Sequence, residues 1–98
     1  MKKPDAFEKR HMGRVAETGC SLCHHLGNGH VAGHVHHIRE GAGMGQRSPH
    51  YLTTCLCPDH HTGPNGVHML GPSRFYTRYK LDELDLLSMT IDLLMRGK

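Results

Sequence analysis

Apolar positions in this chain come in short groups of differing spacing, divided by glycine-rich stretches. Phe7, His11, Val15 and Ala16 recur at helical intervals. Asp5 and Glu8 form a capping box before them and Thr18-Gly19 a stop after them, which predicts a helix over 5–17. Gly19 then leads into Cys20-Ser-Leu-Cys23, read as a tight knuckle, and the glycine-spaced stretch 24–33 as a loop. Segments 31–38 and 51–56 carry the β-branched and aromatic residues of two strands, joined through the glycine-rich run 41–45 as a hairpin with a long loop. Pro58 and Asp59 suit the first turn of a short helix that Gly63-Pro-Asn-Gly66 ends.

Residues 72–80 have helical composition, and Asp82 with Asp85 opens a stronger helix running to about Arg96. In that last helix Leu84, Leu87, Ile91 and Leu94 form one stripe, while Leu86, Met89 and Leu93 lie nearly opposite. One stripe can pack on the core. The other is expected either to be buried within the chain, to stay exposed, or to meet a second copy in a symmetric homodimer.

The whole is expected to be one small α+β domain with a thin core, because only 37% of its 98 residues are hydrophobic. A structural metal, a disulfide or self-association is needed to supplement burial in so small a chain. No apolar segment follows Lys2 and Lys3 as a secretory signal would require, and nothing resembles a membrane span, so a reducing cytoplasm and a metal are favoured over disulfides. Net charge is +3, but residues 1–80 hold ten Lys/Arg against five Asp/Glu, whereas 81–98 hold two against four. The basic body suits a polyanionic partner, although a charge excess of this size is also an ordinary solvated surface.

Two constellations carry chemistry. Cys20-x-x-Cys23 and Cys57-x-x-His60 supply two ligand pairs that together complete a tetrahedral Cys3His site for structural Zn2+. His24 and His25 are rival fourth ligands, and Cys55, which lacks a knuckle partner, reads as a small buried hydrophobe. The second constellation is His34, His36, His37, His50, His61 and His68, more than half of the eleven histidines. Imidazole is both a common metal ligand and a base near neutral pH, so such a cluster can hold a cation and abstract a proton. Phosphodiester hydrolysis uses both capacities.

The blocks His36-His37-Ile38, His50 and Leu56-Cys57-x-x-His60-His61 resemble the successive motifs of an HNH nuclease. The strings from His34 to Gly41, from Gly43 to His50 and from His61 to His68 are similar to the Ref-like, RecA-dependent phage recombination nucleases and their bacterial relatives, over about residues 20–95. The resemblance implies a single HNH endonuclease domain over 1–98, with an N-terminal helix at 5–17, a zinc knuckle and ββα-metal core at 20–68, and C-terminal helices at 72–96. It implies a DNA endonuclease or nicking enzyme using a catalytic divalent metal (Mg2+, Mn2+, Co2+, Ni2+ or Zn2+), with a RecA filament as a further partner.

By the same resemblance His37 is the general base, His36 and His61 are metal ligands, and His68 is a further ligand. His50 stands where the family carries an asparagine that braces the hairpin and orients the base. Arg39 and Arg47 are candidates to clamp the scissile phosphate through their guanidinium forks. Strand alternation opposes part of this assignment, since His34 and His36 share a face in a regular strand while His37 points away. Ligand and base at adjacent positions then require a bulge or a metal at the strand edge, and a regular strand makes His34 with His36 the better metal pair. Other functional classes are a zinc-stabilised nucleic-acid-binding module without catalysis and a metal-storage or sensing protein.

Overall fold

A computed structural model describes residues 3–39 and 49–97. The predicted loop at 41–45 and the phosphate-clamp candidate Arg47 lie outside the described residues. The described chain is a small α+β domain: α1 (Ala6–Glu17), α2 (Ser21–His25), β1 (His34–His37), β2 (Thr53–Leu56), α3 (Pro58–His61), α4 (Val67–Tyr79) and α5 (Glu83–Met95). Its two strands form one antiparallel sheet in regular register, with His34 opposite Leu56, Val35 opposite Cys55, His36 opposite Thr54 and His37 opposite Thr53.

Both long helices at the ends of the chain start as their sequences predict. Asp5 accepts from the Glu8 amide and Glu8 from the Asp5 amide, each at 2.8 Å, and Asp82 and Asp85 repeat the exchange at 2.9 Å. Each box satisfies amides that the first helical turn leaves without partners. The first knuckle is a short helix, α2, rather than a bare turn, and both strands are shorter than expected. Tyr51 and Leu52 precede β2 and are exposed, although the Leu52 carbonyl still accepts from the Ile38 amide at 2.8 Å. Helix α4 begins before Pro72, at Val67, and bends at Gly71, whose φ of 74° only glycine adopts freely; Pro72 then starts its second half.

All four residues of β2 are buried because helices cover both faces of the strand. Alternation sends Thr53 and Cys55 to one side and Thr54 and Leu56 to the other. Cys55 Sγ lies 3.8 Å from the Ala16 carbonyl oxygen of α1, which identifies the first side. On the second side Thr54 Oγ1 bonds Ser21 Oγ of α2 at 2.7 Å and Thr90 Oγ1 of α5 at 2.6 Å. These three buried hydroxyls join α2, β2 and α5.

The core comprises Cys20, Leu22, Cys23, Leu56, Cys57, Phe75 and Leu86, with Val31, Val67, Leu70, Tyr79, Leu81 and Met89 packed against it. Three of its seven buried members are cysteines of the predicted zinc site, so the candidate metal site and the core occupy the same place. In α5 it is the Leu86 and Met89 side that enters the core, while Leu84 and Ile91 stay about half exposed. Phe7, predicted on the apolar face of α1, is 69% exposed with the Arg10 guanidinium 6.0 Å from its ring centroid. Only Val15 anchors α1 as a buried residue. Among the described residues no helix is long and apolar enough to cross a membrane.

Candidate functional site

The Cys20, Cys23, Cys57 and His60 side chains converge in the core, all buried. Helix α2 follows Cys20, whose Sγ accepts from the Cys23 amide at 3.4 Å, and this one turn aims both thiols the same way. The second pair straddles the start of α3, where Pro58 sets the first turn and returns His60 beside Cys57. His60 Nδ1 is 3.6, 3.5 and 3.3 Å from the sulfurs of Cys20, Cys23 and Cys57, and Cys23 and Cys57 are 3.7 Å apart. Zinc bound at about 2.3 Å to sulfur and about 2.0–2.1 Å to nitrogen sets tetrahedral S–S edges of about 3.8 Å and S–N edges of about 3.6 Å. The four donors therefore stand at the spacing of a zinc ligand set. All the cysteines are free, and this cluster could hold a metal such as zinc.

Neither rival for the fourth position joins the cluster: His24 Nε2 bonds the Thr18 carbonyl at 2.8 Å, and His25 is exposed. Cys55 is fully buried but stays out of the cluster, as a small hydrophobe should. Without a cation, burial pushes the thiols up, Cys20 in direction and Cys23 to about 12, with neighbouring sulfurs adding to the shift at Cys23. A bound dication reverses that preference, because coordination favours thiolate.

On the second face of the hairpin, His36 meets His61 of α3 and His68 of α4, and their ligand atoms lie within 4.8 Å of one another. Ring centroids are 5.2 Å apart for His36 and His61, 5.1 Å for His36 and His68, and 4.8 Å for His61 and His68. Gly66 makes this approach possible. A Cβ there would stand 2.7–2.8 Å from the carbonyl groups of His60 and His61, so α4 can begin against α3 only with glycine at its N-cap. His61 Nδ1 is buried without a hydrogen-bond partner, and burial followed by the charges of its histidine neighbours lowers the proton affinities of His61 and His68. Three converging imidazoles, one with an orphaned nitrogen, have the chemistry of a cation site.

The strand through these residues carries no bulge. His34 does share the His36 face, as alternation requires, yet it is exposed, with its ring 6.0 Å from that of His61. His61 and His68 take the places beside His36 because α3 and α4 return to that face. The pairing of His34 with His36 expected of a regular strand is therefore not the one that forms, and the bulge that the alternative assignment required is absent from β1. His37 lies on the opposite face, the α1 side, where its Nε2 is 3.1 Å from Nδ1 of the buried His50. Burial, then the charges of His50 and His36, lower the proton affinity of His37.

No family model, curated protein or solved structure matches this chain.

Beside His36 and His68 lies a cavity of about 750 Å3, walled also by Arg39, Phe75, Tyr76 and Glu83. Arg39 is exposed there and its charge reaches His68. Glu83, which no motif singles out, reaches His36 from the first turn of α5, with Oε2 2.5 Å from His36 Nε2. Acidic residues in a first helical turn are ordinarily explained by the helix dipole, so the sequence gives no signal that separates Glu83 from its neighbours.

Proposed function

We propose that the chain is a metal-dependent DNA endonuclease or nicking enzyme of the HNH, ββα-metal type, hydrolysing a phosphodiester to leave 5′-phosphate and 3′-hydroxyl ends. The observation that carries this reading is the division of β1, with His36 grouped with His61 and His68 on one face and His37 bonded to His50 on the other. The order β1, β2, α3 is that of a ββα unit, which further supports it. Structural zinc is assigned to Cys20, Cys23, Cys57 and His60, and the catalytic divalent ion to His36, His61 and His68.

When bound, the divalent ion supplies Lewis acidity to a phosphate oxygen and charge to oppose that developing on the leaving oxygen. His37 takes the proton of the attacking water. If its Nε2–H donates to His50 Nδ1, its own Nδ1 keeps the lone pair that a base requires. His50 thus positions the base, the task of the family's asparagine, by a ring-to-ring hydrogen bond. A lowered proton affinity keeps His37 in the basic form at neutral pH. Arg39, exposed beside the cavity, is placed to grip a phosphate, and Arg47 is assigned the same task from the resemblance. DNA is the proposed partner, in keeping with the basic body of the chain; a RecA filament, a homodimer through the exposed Leu84 and Ile91 of α5, and a cytoplasmic location complete the reading.

Plasmid nicking by His37→Ala, in protein whose zinc content equals wild type, tests the assignment. Removal of a general base is expected to slow cleavage by about 10²–10⁴-fold. Undiminished cleavage removes His37 as the base. Wild-type protein that retards DNA but cuts none of it with Mg2+, Mn2+, Co2+ or Ni2+ replaces this reading with a non-catalytic nucleic-acid-binding module.

A further inference from the structure

Glu83 belongs to neither cluster, yet its carboxylate is fixed at both oxygens. Oε2 lies 2.5 Å from His36 Nε2, and Oε1 accepts from the Arg39 backbone N–H at 3.0 Å. Its side chain is only 18% exposed and that of His36 only 4%. The backbone beneath it is equally fixed, since the Asp82–Asp85 capping box closes the same turn and Leu86 and Thr90 anchor the helix in the core. An acidic residue serving only the helix dipole has no need to leave water or to reach across to the hairpin.

We propose that Glu83 is the carboxylate partner of the histidine metal centre, holding His36 as the Nε2–H tautomer so that His36 meets the ion through Nδ1. The inference rests on His36 being a metal ligand. Distance separates this role from direct coligation. Two donors at about 2.0–2.1 Å from one ion stand about 3.3 Å apart in a tetrahedron and about 2.9 Å apart in an octahedron. A separation of 2.5 Å is shorter than either and shorter than an ordinary N–H···O hydrogen bond, so the two atoms meet directly with no ion between them. An imidazole nitrogen engaged in such a bond has no lone pair to offer a cation, so only Nδ1 remains. A carboxylate behind a metal-bound histidine fixes the tautomer and the orientation of the ring.

The experiment uses the full chain with its cysteine site filled by zinc, and the probe is Co2+, followed by visible absorption and calorimetry. Glu83→Ala is expected to weaken uptake of the second ion by about 10–100-fold, with zinc content and far-UV circular dichroism unchanged. Glu83→Gln, which keeps an acceptor but loses the charge, should fall between that variant and wild type. Long-range ¹H–¹⁵N spectra of histidine-labelled protein before Co2+ addition should show His36 as the Nε2–H tautomer, a preference weakened in Glu83→Ala. A merely structural ion pair between β1 and α5 would leave cobalt affinity at the wild-type value, and that result overturns the inference while sparing the metal centre. An Nδ1–H tautomer of His36 in wild-type protein overturns it as well. If wild type takes up no second ion, the metal centre itself falls and this role falls with it.

Discussion

Removing the metal from Cys20, Cys23, Cys57 and His60 should unfold the protein rather than loosen it. Apart from the cysteines, the fully or nearly fully buried hydrophobic residues among those described are Val15, Leu22, Ile38, Leu56, Phe75 and Leu86. At about 1.5–3 kcal/mol each, they give a gross gain of roughly 9–18 kcal/mol before the opposing chain entropy is counted. Structural zinc in small domains contributes about 10–16 kcal/mol, as much as the whole net stability of about 5–15 kcal/mol typical of a folded domain. A shift of about 1 kcal/mol moves the melting temperature by about 4–8 °C at this size, so loss of zinc should abolish the transition instead of displacing it. The assay is thermal melting by far-UV circular dichroism, with metal release followed by a colorimetric zinc indicator during chelation. Cysteine-site occupancy near one zinc per chain is expected beforehand, and a featureless melt afterwards. A zinc-free chain that melts cooperatively within a few degrees of the loaded one would refute the reasoning.

Two further outcomes test the packing and the charge of the sites. Thr54→Val removes the hydroxyl between Ser21 and Thr90 and leaves Thr90 Oγ1 without that partner, so urea or thermal melts should show a loss of about 1–3 kcal/mol; an unchanged midpoint would mean the hydroxyl chain contributes nothing. His37, His61 and His68 hold protons less tightly than the usual imidazole value of 6.5, burial being the first cause in each, so the unfolded chain protonates first as pH falls. Stability should therefore be fully present above about pH 6.5 and decline as acid is added below it, with a shallower decline in a His61→Gln/His68→Gln variant measured by urea melts at pH 7.5 and 5.5.

The parts legible in the sequence are those whose cause is local. Capping boxes at Asp5 and Asp82 and the two-residue gaps in Cys20-x-x-Cys23 and Cys57-x-x-His60 define geometry within one turn, and the structure forms both helices and gathers all four donors. Alternation along β1 also foretold that His36 and His37 would face opposite ways. What it could not foretell was which residues would join His36, because that depends on how α3 and α4 return to the sheet. The close approach at Gly66, which lets His68 stand beside His61, is a tertiary event carried by a glycine that reads locally only as a turn residue. Glu83 was illegible for the same reason, its partner being 47 residues away in sequence. Phe7 erred the other way, since helical spacing reports a possible buried face and not whether a neighbour exists to cover it.

His60 and His61 are consecutive residues of a four-residue helix, one turned toward the cysteine cluster and the other toward the histidine cluster. So short a helix has too few internal hydrogen bonds to persist alone, and its orientation is dictated by whatever grips His60 and Cys57. On the proposed assignment the two centres therefore assemble in a fixed order, with zinc first and His61 holding its station for a second cation only afterwards. A shortage of zinc would then silence the histidine centre even in a surplus of its own ion, one metal acting as gatekeeper for the other without any contact between them.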